Sequence, residues 1–301
     1  MYDSIIIGAG AAGCAAAIYT KSRDLNILIL EQEKIGGLIG NVSTVTHYPG
    51  IVDYEKGSDF VKRIDEQLKN AEIELNIEKV IKTELKGDVK KVYTKDNCYE
   101  AKSVIICSGT VQNKLNVPGE EEFSNDFVSH RVLEDGDKFK NKTVIIVGGS
   151  DGAMKEAIYM AKIAKKTYVL HHGEKITAIG DFQRKAKDLG VEYILDSEIA
   201  AFEKSGDENI VKIKNLKSGE VTEMKEKDLG VFIYAGSTPE TEIYSELELE
   251  NGYIVVDKNM QTSIEGVFAA GDIIAKDVRQ VSTAAAEGTV AALKCNAFLK
   301  K

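Results

Sequence analysis

Asp3-Ser4-Ile5-Ile6-Ile7-Gly8-Ala9-Gly10-Ala11-Ala12-Gly13, running on into Cys14-Ala15-Ala16-Ala17-Ile18-Tyr19, reads as a strand, a glycine turn and a small-residue helix. A second apolar run, Asn26-Ile27-Leu28-Ile29-Leu30, then ends on Glu31. This is the order of parts in a βαβ dinucleotide-binding unit. Gly8 permits the tight turn, Gly10 lets backbone approach a pyrophosphate, Gly13 lets helix pack on strand, and Glu31 is placed to accept hydrogen bonds from a ribose.

The pattern returns mid-chain in altered form. Thr143-Val144-Ile145-Ile146-Val147 meets Gly148-Gly149-Ser150-Asp151-Gly152-Ala153 and then a helical stretch from Met154 to Met160. Ser150 occupies the second glycine position, where a side chain crowds a pyrophosphate. The next strand, Thr167-Tyr168-Val169-Leu170, ends in His171-His172-Gly173, with neither an acid for a ribose nor an arginine for a 2′-phosphate.

Around these turns the elements alternate. A helix is expected over 58–70, and strands near 73–75 and 80–83. A hairpin over 89–94 and 98–102 precedes a separate buried strand at 103–107. Pro118-Gly119 with Glu120-Glu121-Glu122 marks a boundary. In the second half a helix at 181–189 and a strand at 191–195 lead into an antiparallel meander over 198–203, 209–215 and 220–225, and a helix over 282–299 closes the chain. The fold class is therefore α/β: two Rossmann-like three-layer nucleotide-binding domains, each with a small β-meander.

Hydrophobic residues make up 43% of the 301, enough for two cores. No apolar run approaches the roughly 20 residues of a membrane helix, and the N-terminus enters a strand with no basic leader, so a cytoplasmic protein is expected. A net charge of −9 without a basic tail argues against nucleic acid and anionic membranes. The four cysteines, Cys14, Cys98, Cys107 and Cys295, form no C-x-x-C pair, and no metal-ligand spacing is present. Cys14 lies in the first turn of the first helix, a location that lowers a thiol pKa, although small residues also favour such helix starts for packing alone.

Together the N-terminal glycine turn, Gly36-Gly37, Tyr48-Pro49-Gly50, Ile105-Ile106-Cys107-Ser108-Gly109, Tyr234-Ala235-Gly236-Ser237-Thr238-Pro239, Thr262-Ser263, Gly271-Asp272 and Arg279-Gln280 resemble the thioredoxin reductase branch of the flavin-dependent disulfide reductases over nearly the whole chain. The resemblance implies FAD held by a discontinuous domain, residues 1–112 and 245–301, with a nicotinamide-binding-like domain, 113–244, inserted. It implies cofactor contacts from Gly8, Gly10, Ala11, Ala12, Gly13, Glu31, Gln32, Gly37, Leu38, His47 and Gly109. At the C-terminal end it implies cofactor contacts from Gly271, Asp272, Arg279, Gln280 and Val281, with Asp272 at the ribityl chain and Gln280 and Val281 at the ring. A homodimer is also implied.

The chain departs from that family where electrons leave the flavin. The family carries Cys-x-x-Cys-Asp-Gly before its second glycine turn, whereas this chain has Arg131 and Glu134 at the cysteine positions and keeps Asp135. Ser150, His172 and Gly173 stand where a glycine and two arginines recognise NADPH, so NAD(P)H lacks its usual partners. Leu38 and His47 replace a glutamine and an asparagine, and His47 is either a proton donor or a plain hydrogen-bonding substitute.

The reading these residues favour is a flavin oxidoreductase that trades electrons at the ring with an electron-carrier protein, ferredoxin for example, or a small redox molecule. A basic face of Lys162, Lys165, Lys166, Lys175, Arg184, Lys185 and Lys187 could dock an acidic carrier, or be an ordinary solvated surface. Two alternatives stand beside it: a single-cysteine disulfide reductase acting through Cys14, and a non-catalytic flavin-binding or sensor protein. The candidate catalytic residues are His47, Asp135 and Cys14.

Overall fold

In β1 (Tyr2–Ile7) the isoleucines alternate between two cores, Ile5 and Ile7 on one face and Ile6 on the other, and all are buried. A strand buried on both faces belongs in the middle of a sheet, and the computed structural model, which describes residues 1–52 and 54–301, places it there.

The chain forms two compact units. The first comprises Met1–Gly40, Val45–Val111 and Thr238–Lys301; the second comprises Asn41–Thr44 and Gln112–Ser237. The return crossing thus falls at 237–238 rather than 244–245. Tyr244, fully buried, packs in the first unit's core, and Thr83 Oγ1 donates to Ile243 O at 2.6 Å.

In the first unit β1 lies between β2 (Ile27–Glu31) and β6 (Cys98–Ile106), parallel to both. The strand Val267–Ala269 pairs with the other side of β6, also parallel. The hairpin strand expected at 98–102 and the buried strand at 103–107 are therefore one. Its first half pairs antiparallel with Lys90–Thr94, and Val104–Ile106 run parallel to 267–269. A helix–sheet core built on Ile6, Ile27, Ile29, Ile105 and Phe268 lies on one face. A second core, of Ile5, Ile7, Leu28, Leu30 and meander residues such as Val80 and Val92, lies on the other. The helix Ala11–Lys21 packs on the C-terminal helix Val281–Leu299 so closely that a Cβ on Gly288 would overlap the carbonyl of Ala12.

The second unit repeats the plan. Its parallel sheet runs in the order 192–194, 166–170, 143–147, 230–233, 128–129, and its meander, 197–205, 208–215 and 221–226, is antiparallel. Among the described residues no helix is long and apolar enough to cross a membrane.

Candidate functional site

The first glycine turn separates two reasons for being glycine. Gly8, at φ 98°, donates its N–H to Leu30 O at 2.8 Å, and a Cβ there would collide with the carbonyl of Cys107. A Cβ on Gly13 would collide with the carbonyl of Gly8. Packing alone demands both. Gly10 differs: it caps the helix Ala11–Lys21 with ordinary extended backbone (φ −73°, ψ −173°), and a Cβ there would meet nothing within 4 Å. The open space lies at a helix N-terminus, whose first N–H groups have no partner within the helix and whose dipole favours anions. No acid occupies that helix's first turn. The chain leaves this cradle for something other than itself, and a pyrophosphate fits it.

The neighbouring residues converge on the same turn. Gly36 N–H donates to Ala9 O at 2.8 Å, and Gly37 lies against Gly10. Glu31, buried, accepts from Ala9 N–H at 2.8 Å and Glu33 N–H at 3.0 Å. A carboxylate offers about four acceptor directions, so capacity for a ribose hydroxyl remains. Gln32 beside it is exposed, Gly109 (φ 65°) follows β6, and Ser108 accepts from the buried Tyr244 hydroxyl at 3.1 Å.

From the C-terminal segment, Gly271 (φ 86°) approaches Ala12 so closely that an added Cβ would lie 2.9 Å from the alanine methyl. Asp272 Oδ1 is buried with no hydrogen-bond partner among the described residues, an acceptor suited to a ribityl hydroxyl. Arg279 instead serves the loop: Nη1 donates to Lys276 O at 2.8 Å, Nη2 to Ile274 O at 3.3 Å, and its guanidinium stacks 4.0 Å from the Tyr253 ring centre. Gln280 caps the C-terminal helix, its N–H donating to Thr283 Oγ1 at 3.2 Å, and Val281 is that helix's first residue. Leu38 and His47 are both exposed, His47 at φ 58°. Lys276 and Glu287, which no sequence motif flags, also belong to this end of the site.

The second turn is the geometric counterpart of the first. Gly148 N–H donates to Leu170 O at 2.8 Å, as Gly8 does to Leu30. Ser150 caps its helix with φ −82° and ψ 173°, nearly the angles of Gly10, and is exposed there. In this register His171 takes the place of Glu31. It is buried, its ring stands 2.7 Å from where a Cβ on Gly149 would be, and its Nδ1 has no hydrogen-bond partner among the described residues. Burial, reinforced by His172, pushes its pKa down and keeps the imidazole neutral.

At the positions corresponding to the family's cysteine pair, Arg131 Nη1 donates to Glu134 Oε2 at 3.2 Å. Asp135 accepts from Ser129 Oγ at 2.6 Å and pairs with Lys138 at 2.6 Å. Burial raises the Asp135 pKa, but the hydrogen bonds from Lys138 and Ser129 outweigh it and hold the carboxyl below its ordinary value. At neutral pH it is a carboxylate, not an acid with a proton to give.

The thiols correct one expectation. Cys14 does not gain acidity from its helix: it is buried, its Sγ donates to Ala9 O at 3.2 Å, and burial, aided by Glu31 and Asp65, pushes its pKa up to about 12. Burial raises Cys107 and Cys295 as well, and Cys98 alone among the four is exposed. The lysine-rich face is also less basic than its composition, since Asp181 pairs with both Arg184 and Lys185, and Glu192 with Lys166. No cluster able to hold a metal occurs among the described residues.

Comparison with known proteins places the chain in context. The family model for pyridine nucleotide-disulphide oxidoreductases matches residues 2–288. A thioredoxin reductase of Peptoclostridium acidaminophilum is 36% identical over 307 residues, spanning 100% of this chain and 98% of the relative. The Lactococcus lactis thioredoxin reductase structure matches with a TM-score of 0.94 at 34% identity, covering 100% of this chain and 99% of that one. A ferredoxin-flavin thioredoxin reductase from Clostridium acetobutylicum matches with a TM-score of 0.55 at 27% identity, over 99% and 97% of the two chains.

Proposed function

The chain belongs to the pyridine nucleotide-disulphide oxidoreductase family, and from that premise we propose that it is an FAD-dependent oxidoreductase of thioredoxin-reductase type that exchanges electrons at the flavin without a dithiol relay. The observation that carries the proposal is the Arg131–Glu134 ion pair standing where a redox-active cysteine pair would be. The buried, weakly acidic Cys14 and Cys107 offer no substitute.

In this reading the first unit, Met1–Gly40, Val45–Val111 and Thr238–Lys301, holds FAD. The Gly8–Gly13 turn binds the pyrophosphate, Glu31 a ribose, and Asp272 the ribityl chain. Bound FAD supplies a ring that accepts and releases electrons; the chain's task is to hold and orient it. The second unit, Asn41–Thr44 and Gln112–Ser237, binds NAD(P)H poorly, because Ser150 fills the counterpart of Gly10 and His172-Gly173 offer a 2′-phosphate no arginine. The donor or acceptor is then an electron-carrier protein or a small redox molecule. The Clostridium acetobutylicum relative, named for ferredoxin, supports a carrier of that kind.

The test is anaerobic titration of the yellow holoprotein with reduced ferredoxin, NADH and NADPH, followed by a thioredoxin disulfide assay on a variant in which every cysteine is replaced. Bleaching by ferredoxin is expected, with NADPH slow. Fast bleaching by NADPH overturns the donor assignment, and a cysteine-dependent turnover of thioredoxin overturns the claim that no thiol takes part. Sedimentation tests the homodimer implied by the resemblance.

A further inference from the structure

We infer that Lys276 and Glu287 are a positioning pair that presents Gly271 and Asp272 to the cofactor's ribityl hydroxyls, an inference that rests on the FAD reading above. Lys276 leaves the 273–280 loop and folds back, with only 12% of its side chain exposed. Its Nζ donates to Glu287 Oε2 at 2.7 Å and lies 3.4 Å from Asp272 Oδ1. The same Glu287 oxygen, projecting from the C-terminal helix, accepts Gly271 N–H at 2.9 Å. One carboxylate therefore fixes the backbone of the turn, and one ammonium ties that carboxylate to the next.

Such a cluster of largely buried charges is costly unless each member is paired. Yet among the described residues Asp272 Oδ1 has no hydrogen-bond donor: Lys276 balances its charge from 3.4 Å without the geometry of a hydrogen bond. The remaining acceptor direction is left for a donor outside the chain, and a hydroxyl is the group that supplies one without adding charge. Arg279, holding three carbonyls of the same loop, at Asp272, Ile274 and Lys276, keeps Lys276 from swinging away.

The experiment measures the FAD dissociation constant by ultrafiltration and the melting temperature of the apoprotein for wild type, Lys276→Met, Lys276→Arg, Glu287→Gln and the Lys276→Met/Glu287→Gln double variant. Lys276→Met should weaken FAD about tenfold to a hundredfold, the range for losing a charge-assisted hydrogen bond. Lys276→Arg should recover most of that loss, and the double variant should be no weaker than Lys276→Met, because the two residues act as a unit. Lys276→Gln carries the same expectation as the methionine variant should that one not fold. Unchanged FAD affinity in Lys276→Met overturns the inference. So does a loss that arginine does not rescue and that merely follows a fall in apoprotein stability. Wild-type protein that takes up no FAD overturns the FAD reading, and the inference with it.

Discussion

Gly10→Ser gives the most discriminating test, because the chain contains its own control. Ser150 holds the equivalent helix-cap position with nearly the same backbone angles, so serine at position 10 meets no strain, and the open space around Gly10 accepts the side chain. Serine is a better cap than glycine by a few tenths of a kcal/mol, up to about 0.5, and removing a glycine's freedom from the unfolded chain adds about 0.4–1 kcal/mol. The apoprotein should therefore melt about 1–4 °C higher than wild type. FAD binding should move the other way, since the new side chain stands where a pyrophosphate approaches the helix N-terminus. Losing even one charge-assisted contact weakens binding by about tenfold or more. Excess FAD at about a hundred times its dissociation constant stabilises wild type by about 2.7 kcal/mol, and a variant that binds tenfold more weakly should keep about half of this at the same concentration. Differential scanning calorimetry with and without FAD reads both effects. Gly13→Ala is the contrast, expected to destabilise the apoprotein itself because its Cβ overlaps the Gly8 carbonyl. A Gly10→Ser apoprotein that unfolds early, or one that FAD protects as well as wild type, refutes the assignment of Gly10 to a ligand.

Iodoacetamide applied to the folded protein should label Cys98 and leave Cys14, Cys107 and Cys295 protected, as peptide mass spectrometry will show. The Cys14 thiol ionises near 9.0 unfolded and about 12 folded, so the unfolded chain loses its proton first; the associated stability is intact below about 9 and lost by about 12, and Cys14→Ser should flatten that alkaline fall in urea unfolding. Asp135 has the opposite sign: its folded pKa is lowered, so its stability is present above the ordinary carboxylate range and lost as pH falls through the lowered value, a slope Asp135→Asn should remove. Glu156, buried with Oε1 accepting Ser43 N–H at 3.0 Å, has its pKa raised by burial against the opposing hydrogen bond. Its contribution is lost as pH rises through that value, so Glu156→Gln should melt higher than wild type in alkaline buffer, the gap closing in acid.

The parts legible in the sequence were those that repeat. Strand, glycine turn and helix follow from local rules, and both units obeyed them within a residue or two. The strand that the sequence divides at Ser103 is continuous because β6 changes partners midway, from the hairpin to the parallel sheet, and nothing local announces a change of neighbour. The glycines were visible, but not which of them serve packing: Gly8 and Gly13 answer to carbonyls distant in sequence or across a turn, whereas Gly10 answers to none. Lys276 and Glu287 were invisible for the same reason, their partnership depending on a helix returning beside a loop. Of the two readings of Cys14, packing holds and acidity does not, because burial outweighs the helix N-terminus for this thiol.

The burial of Cys14 bears on the choice among the three functional readings. A single-thiol reductase needs an accessible thiolate near neutral pH, and the thiol beside the glycine turn is shielded and among the least acidic in the chain. A passive flavin binder needs the cradle and nothing more. The 131–135 segment separates it from an enzyme: a vestigial relay would be free to drift, yet Arg131 is tied to Glu134, and Asp135 to Ser129 before the segment and Lys138 after it. The exposed Arg131–Glu134 pair adds little stability, about 0–1 kcal/mol, so neutralising either of its residues should scarcely move the melting temperature. If Arg131→Ala and Glu134→Ala leave melting unchanged but alter the rate of flavin reduction by reduced ferredoxin, the segment acts on electron transfer; if neither quantity moves, the passive reading gains.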